Sequence, residues 1–221
     1  MRIVYALTAI AFWVLACVPE YALAFTPVLS RSQVAAATSD GQRMEKKQRG
    51  YQAPQNILFA APDTLRIRVG QSPVDAIIVG TPYERLRYAS YLRAFQGQPP
   101  SMRSAESTAA QDANVLQMVL FVHSSSAADR GFLQRYSSGA LQFGNRVVRA
   151  ERVDTFGPAL DYYDVDGAGR QFRFVGSVTF RFDLSGMRAS GVDIATATGT
   201  FSFSDAHGVT RRYPIALSRY P

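Results

Sequence analysis

Phe172-Arg173-Phe174-Val175-Gly176-Ser177-Val178-Thr179-Phe180-Arg181-Phe182-Asp183-Leu184 is the stretch whose reading decides the fold class. Its even positions are Phe, Phe, Gly, Val, Phe, Phe and Leu. Its odd positions, Val175 apart, are polar. A period of two is the signature of a β-strand with one buried and one wet face. Thirteen residues at roughly 3.3 Å each span about 40 Å, long for a globular strand, so a bend or bulge is expected at Gly176.

Strands continue on both sides of this segment. Ile194 to Phe203 reads as a strand with Phe201 and Phe203 inward. Asp205-Ala206-His207-Gly208 is a hairpin turn into Val209 to Leu217, where Val209, Arg211, Tyr213, Ile215 and Leu217 share a face. Pro214 cannot donate to a ladder, which places that strand at an edge. Upstream, Tyr162-Tyr163 leads into an Asp-Gly turn and out through Gln171-Phe172, and Arg146 to Val153 reads as a strand with arginines facing water. Val115 to Val122, broken only by Gln117, reads as a central strand buried on both faces. Thr64 to Val69 alternates, and Val74 to Val79 is a short apolar run that fits either a strand or a helix start.

Helical signals are fewer. Thr81-Pro82-Tyr83-Glu84 combines a cap, a proline at the first helical position and a capping-box glutamate. The helix runs to about Phe95, with Leu86, Ala89, Leu92 and Phe95 spaced to pack on a sheet and Tyr83, Tyr88 and Tyr91 lying flat around them. Ser126 caps a short second helix through Tyr136. Gly97 to Asn114 reads as a long surface connection. The resulting fold class is α+β: an antiparallel sheet of five to seven strands, mostly from the C-terminal half, covered by one or two helices. The alternative is a β-sandwich with a helical insertion. The order of helix and long curved sheet is similar to that of cone-shaped NTF2-like domains, at the level of architecture alone.

The N-terminus speaks to location. Arg2, the apolar run Ile3 to Val18 and Ala22-Leu23-Ala24 form the three parts of a secretory signal peptide, with cleavage expected after Ala24. Val14-Leu15-Ala16-Cys17 also resembles a lipoprotein box, in which Cys17 would carry the lipid. Membrane attachment is expected only through an uncleaved or lipidated N-terminus. Cys17 is the sole cysteine, so no intrachain disulfide is expected despite export to the periplasm or beyond. Residues 25–56, with their cluster Arg43, Glu45, Lys46, Lys47 and Arg49, read as a flexible basic linker. Residues 57–221 read as a single α+β domain.

The chain has 24 Lys+Arg against 17 Asp+Glu, a formal charge of +7, nearly all of it arginine. Arg146, Arg149 and Arg152 are the candidate anion-binding residues. Nucleic acid is disfavoured, because alternation puts Arg173 and Arg181 on the face opposite the phenylalanines. There is no Walker loop, Rossmann fingerprint or G-x-S-x-G elbow, and no cofactor is implied. His123 beside Ser124-Ser125-Ser126 is the weak catalytic candidate. Asp161, Asp164 and Asp166 before Gly167 hint at a calcium loop. Tyr162 and Arg173 break the EF-hand pattern at both ends.

Three functions follow as expectations. The first is an exported, non-enzymatic protein that binds a partner protein or an envelope polymer. The second is a secreted hydrolase assembled around His123 and a nearby serine. The third is an arginine-mediated binder of anionic polymers.

Overall fold

The computed structural model describes residues 25–47, 50–63, 66–68 and 70–221; the expected signal segment, with Cys17, Ala22 and Ala24, lies outside them. The strands are β1 (Ile57–Ala60), β2 (Arg66–Ile67), β3 (Val74–Gly80), β4 (Val115–His123), β5 (Ser137–Phe143), β6 (Arg146–Arg149), β7 (Arg152–Val165), β8 (Gly169–Asp183), β9 (Thr198–Ser204) and β10 (Thr210–Ala216). The helices are α1 (Arg31–Lys46), α2 (Pro82–Phe95), α3 (Met102–Gln111) and α4 (Ser185–Ala189). The fold is α+β with mostly C-terminal strands. Among the described residues ten strands form two sheets, where five to seven in one were expected.

The alternating segment became β8, and it organises the first sheet. It pairs antiparallel with β4 on one side and β7 on the other, in the order β1-β3-β4-β8-β7-β2. Only the two-residue β2 runs parallel to its neighbour. The second sheet, β10-β9-β5-β6, is antiparallel throughout, and β10 with Pro214 is an edge strand as its sequence requires. The expected irregularity near Gly176 lies on the partner strand: the β7–β8 register shifts between Phe156 and Ala159, across the cis Gly157–Pro158 bond. A Cβ on Gly176 would come within 2.7 Å of the Phe156 carbonyl, so the bulge and the glycine face each other.

The two sheets pack face to face. Leu116, Met118, Leu120, Val178, Phe180 and Phe182 of the first meet Leu141, Phe201, Phe203 and Ile215 of the second in one buried cluster. Phe180 lies 5.9 Å, centroid to centroid, from both Phe201 and Phe203. Such aromatic pairs add about 0.5–1.5 kcal/mol each beyond area burial.

Several expectations are corrected. Residues 31–46, expected within a flexible linker, form α1. Ser30 accepts from the Gln33 amide and the Gln33 side chain returns to the Ser30 amide, a complete capping box. Phe25 is buried in the main core. Residues 102–111, expected within a loop, form α3, capped by Ser101. The helix expected after Ser126 shrinks to a 3-10 turn, Phe132–Arg135. The strand expected from Arg146 to Val153 is divided between β6 and β7. Residues 194–196 are a 3-10 turn, so β9 starts only at Thr198.

Helix α2 packs mainly on the other helices and only lightly on β3. Val34 and Ala37 of α1, Tyr83 and Leu86 of α2, and Ala105 and Ala109 of α3 form a separate small core among the helices. Leu92 and Phe95, expected to pack inward, are exposed, Phe95 by 70%. The buried pair Glu84–Arg87, at 2.7 Å, lies on the α2 face that meets Tyr51.

Two variants test these contacts. A Cβ on Gly41 of α1 would lie 2.2 Å from the Arg87 carbonyl of α2. Gly41→Ala is therefore expected to force the helices apart and cost about 1–3 kcal/mol in urea unfolding, although alanine favours a helix. In the β9–β10 turn, buried Asp205 accepts from the His207 and Val209 amides and from Arg211 at 2.7 Å. Burial alone would raise its pKa; these donors outweigh it and hold the carboxyl below its usual range. A depressed folded pKa stabilises above the unfolded value and is lost as pH falls through the folded one. The stability gap between wild type and Asp205→Asn is thus expected to be constant above about pH 5 and to shrink below about pH 4. Thermal unfolding across that range measures it.

Candidate functional site

The only buried histidine lies where β4 ends. His123 is 3% exposed, and its Nδ1 lies 2.9 Å from Oδ1 of Asp75. The other Asp75 oxygen, Oδ2, accepts from the Tyr163 hydroxyl at 3.0 Å. A carboxylate is acceptor-only, so Nδ1 of His123 carries the proton toward Asp75. The rings of His123 and Tyr163 lie 5.1 Å apart.

Register explains the meeting. Val74 pairs with Val122 and Ala76 with Phe121, which leaves Asp75 as the extra residue of a β3 bulge. His123 pairs across to Val175 of β8, and Tyr163 reaches the cluster from β7. Burial first, and then the charge and hydrogen bond of Asp75, push the Tyr163 phenol far above its usual range, so it acts as a donor. Arg173, expected on a wet face, is also buried, and its Nε has no hydrogen-bond partner.

The serines beside His123 are engaged elsewhere. Ser124 Oγ donates to the Ser126 carbonyl at 2.8 Å and accepts from the Phe174 amide at 2.9 Å, which pins the exit of β4 to β8. Ser125 Oγ turns to Asp129. The carboxylate that a catalytic histidine needs is present, in Asp75. These bonds bring no serine hydroxyl to the free side of the ring.

The three aspartates are not gathered. Asp161 faces Arg173 across the ladder and accepts from the Tyr162 amide, whereas Asp166 pairs with Arg66 at 2.8 Å. Asp164 lies opposite Arg170, on the other face from Asp161. Among the described residues no group of three acidic, histidine or cysteine side chains is placed to hold a metal. The candidate arginines are also dispersed. Arg146 and Arg149 point to opposite faces of β6, with Arg146 on Ser190, while Arg152 lies on the first sheet against Asp154.

An exposed apolar surface lies on the β7–β8 ribbon. Beyond the His123–Val175 pair β8 loses β4 as a neighbour, and the ribbon continues to its turn at 166–168. Leu160, Tyr162 and Phe172 share one face there, exposed by 57%, 42% and 44%. Tyr162 and Phe172 rings lie 3.9 Å apart, and the Arg170 guanidinium sits 4.4 Å from the Tyr162 ring centre. On the opposite face at the bulge, Phe156 is 82% exposed. Phe172 was expected inward. It is out because the seven-residue strands of the second sheet do not reach under it.

Asp75 and Tyr163 escaped the sequence reading. A lone aspartate in Val-Asp-Ala-Ile-Ile-Val was the available signal, since a buried carboxylate must be paired. Compared with known proteins, the chain matches no family model and no curated protein.

Asp75→Ala would leave a buried ring N–H and a buried phenol without their acceptor. A loss of about 2–4 kcal/mol is expected by urea unfolding, with a smaller loss for Asp75→Asn, which keeps one acceptor oxygen.

Proposed function

We propose that this is an exported, non-enzymatic binding protein, and that it engages a partner protein through the face of the β7–β8 ribbon carrying Leu160, Tyr162, Phe172 and Arg170. The observation that carries this reading is the exposure of three large apolar side chains, contiguous on one face of one ribbon. Soluble proteins leave such patches open chiefly where something covers them. The composition suits an interface centre: aromatic anchors with an arginine, and a tyrosine hydroxyl at the rim. The ribbon is paired along its length, so little ordering entropy is lost on binding. Export is supported by the charged start, apolar run and Ala-x-Ala of the first 24 residues.

A photo-crosslinking residue placed at Leu160 or Phe172 in the native host tests both parts. The expected result is a discrete crosslinked species in the exported fraction. It should be abolished by Tyr162→Ser and absent when the crosslinker stands at exposed His207. Equal crosslinking from His207, or a protein retained in the cytosol with its first 24 residues intact, overturns the reading.

A further inference from the structure

We infer that the open face of the second sheet is a separate binding site for an acidic polysaccharide, a linear polymer of uronate type. Its carboxylates would lie on Arg149, Arg212 and Arg219, and its hydroxyls along Gln142, Thr198 and Thr200. This goes beyond the reading above, since it concerns the other sheet and another class of partner.

Alternation builds the face. Leu141, Phe143, Phe201, Phe203 and Ile215 turn into the core, so the residues between them turn outward. The register then places Arg149, Ala140, Ser202 and Arg212 in one row across β6, β5, β9 and β10. The neighbouring row is Val147, Gln142, Thr200 and Pro214. Two guanidiniums thus stand at the ends of a four-strand row, three inter-strand gaps or about 14 Å apart at their backbones. Between them lie only small side chains. Beside these rows opens a trough of about 570 Å³ lined by Gln142, Thr198, Thr200, Pro214 and Arg219.

Charge supplies the argument for the occupant. The four strands contain four arginines and no aspartate or glutamate. Arg211 is held by Asp205, and Arg146 lies on Ser190. Arg149, Arg212 and Arg219 are exposed and form no ion pair among the described residues. A planar guanidinium accepts a carboxylate in a two-point fork, and hydroxyl and amide groups both donate to and accept from sugar hydroxyls. All the aromatic rings of the four strands, Phe143, Phe201, Phe203 and Tyr213, lie on the core side. The face therefore offers no stacking platform of the kind single-stranded nucleic acid uses. Its apolar content is also too small for insertion among lipid chains.

The test uses the exported protein as its host processes it, titrated by calorimetry with polygalacturonate, neutral dextran, single-stranded DNA and anionic phosphatidylglycerol vesicles. Polygalacturonate is expected to bind, more weakly as salt is raised from about 50 to 300 mM, and dextran is not. Arg149→Gln with Arg212→Gln should weaken binding at least tenfold while leaving the unfolding midpoint unchanged. Arg93→Gln with Arg103→Gln, which removes the same charge from the helices, should leave it within twofold. Leu160→Ser with Phe172→Ser should also bind polygalacturonate normally, which separates this site from the ribbon. The proposal is overturned if polygalacturonate does not bind. It is equally overturned if DNA or vesicles bind as tightly, or if the two arginine pairs weaken binding alike, because net charge alone would then account for it.

Discussion

The contact on which the rest depends is that of the Phe180 ring with the backbone of β5. A Cβ on Gly139 would stand 2.2 Å from Cδ1 of that ring, so only glycine lets Phe180 enter. Once seated, Phe180 meets Phe201 and Phe203, and Phe182 meets Phe201 at 6.0 Å. The two sheets are thereby fixed face to face. With no disulfide available, this interlock and the aliphatic residues around it carry the stability of the sheets.

Two sheets of unequal strand length meeting in this way leave surfaces that neither can cover. β8 has 15 residues and β9 has seven, so the longer strand runs on past the second sheet. Alternation continues into the overhang, but its meaning reverses. The face that is core at Val178 and Phe180 becomes open surface at Phe172, while the opposite face takes in Arg173. The second sheet likewise has one face on the core and the other in solvent, which is why its strands combine Phe201 and Phe203 with Thr200 and Ser202.

The long strand, the central strand Val115–His123 and the hairpin at Asp205 were legible in the sequence because period and turn chemistry act locally. The α2 start was legible for the same reason: Thr81 accepts from the Glu84 amide and Pro82 stands at the first helical position, although the Glu84 carboxylate turns to Tyr51 and Arg87 and does not close the expected capping box. Helix α1 was missed although Ser30-x-x-Gln33 is itself a capping box, because the polar composition that follows outweighed it. That omission carried a second: without α1, the apolar side of α2 had only a sheet to pack on. The polar cluster was out of reach in a different way. Asp75 and Tyr163 are 88 residues apart, and their bond depends on a bulge in one strand and on the pairing of two others. No window of sequence contains that information.

The cluster sits at the base of the overhang, and its placement gives it a mechanical meaning. Tyr163 belongs to the ribbon, Asp75 to β3, and His123 to the last pair before β4 stops. A hydrophobic contact at this point would resist separation but would tolerate sliding, since dispersion and area burial are weakly directional. Two hydrogen bonds on one carboxylate fix distance and angle together. Replacing buried polar groups by apolar ones is often neutral for stability, so their value here lies in specifying one orientation of the ribbon relative to the body. The binding proposed for Leu160, Tyr162 and Phe172 would depend on that orientation, because each degree of freedom left in the ribbon would have to be removed on association. On this geometry the buried residues that resemble a catalytic pair act as the fixed root of the ribbon, and so of the surface proposed above to meet a partner.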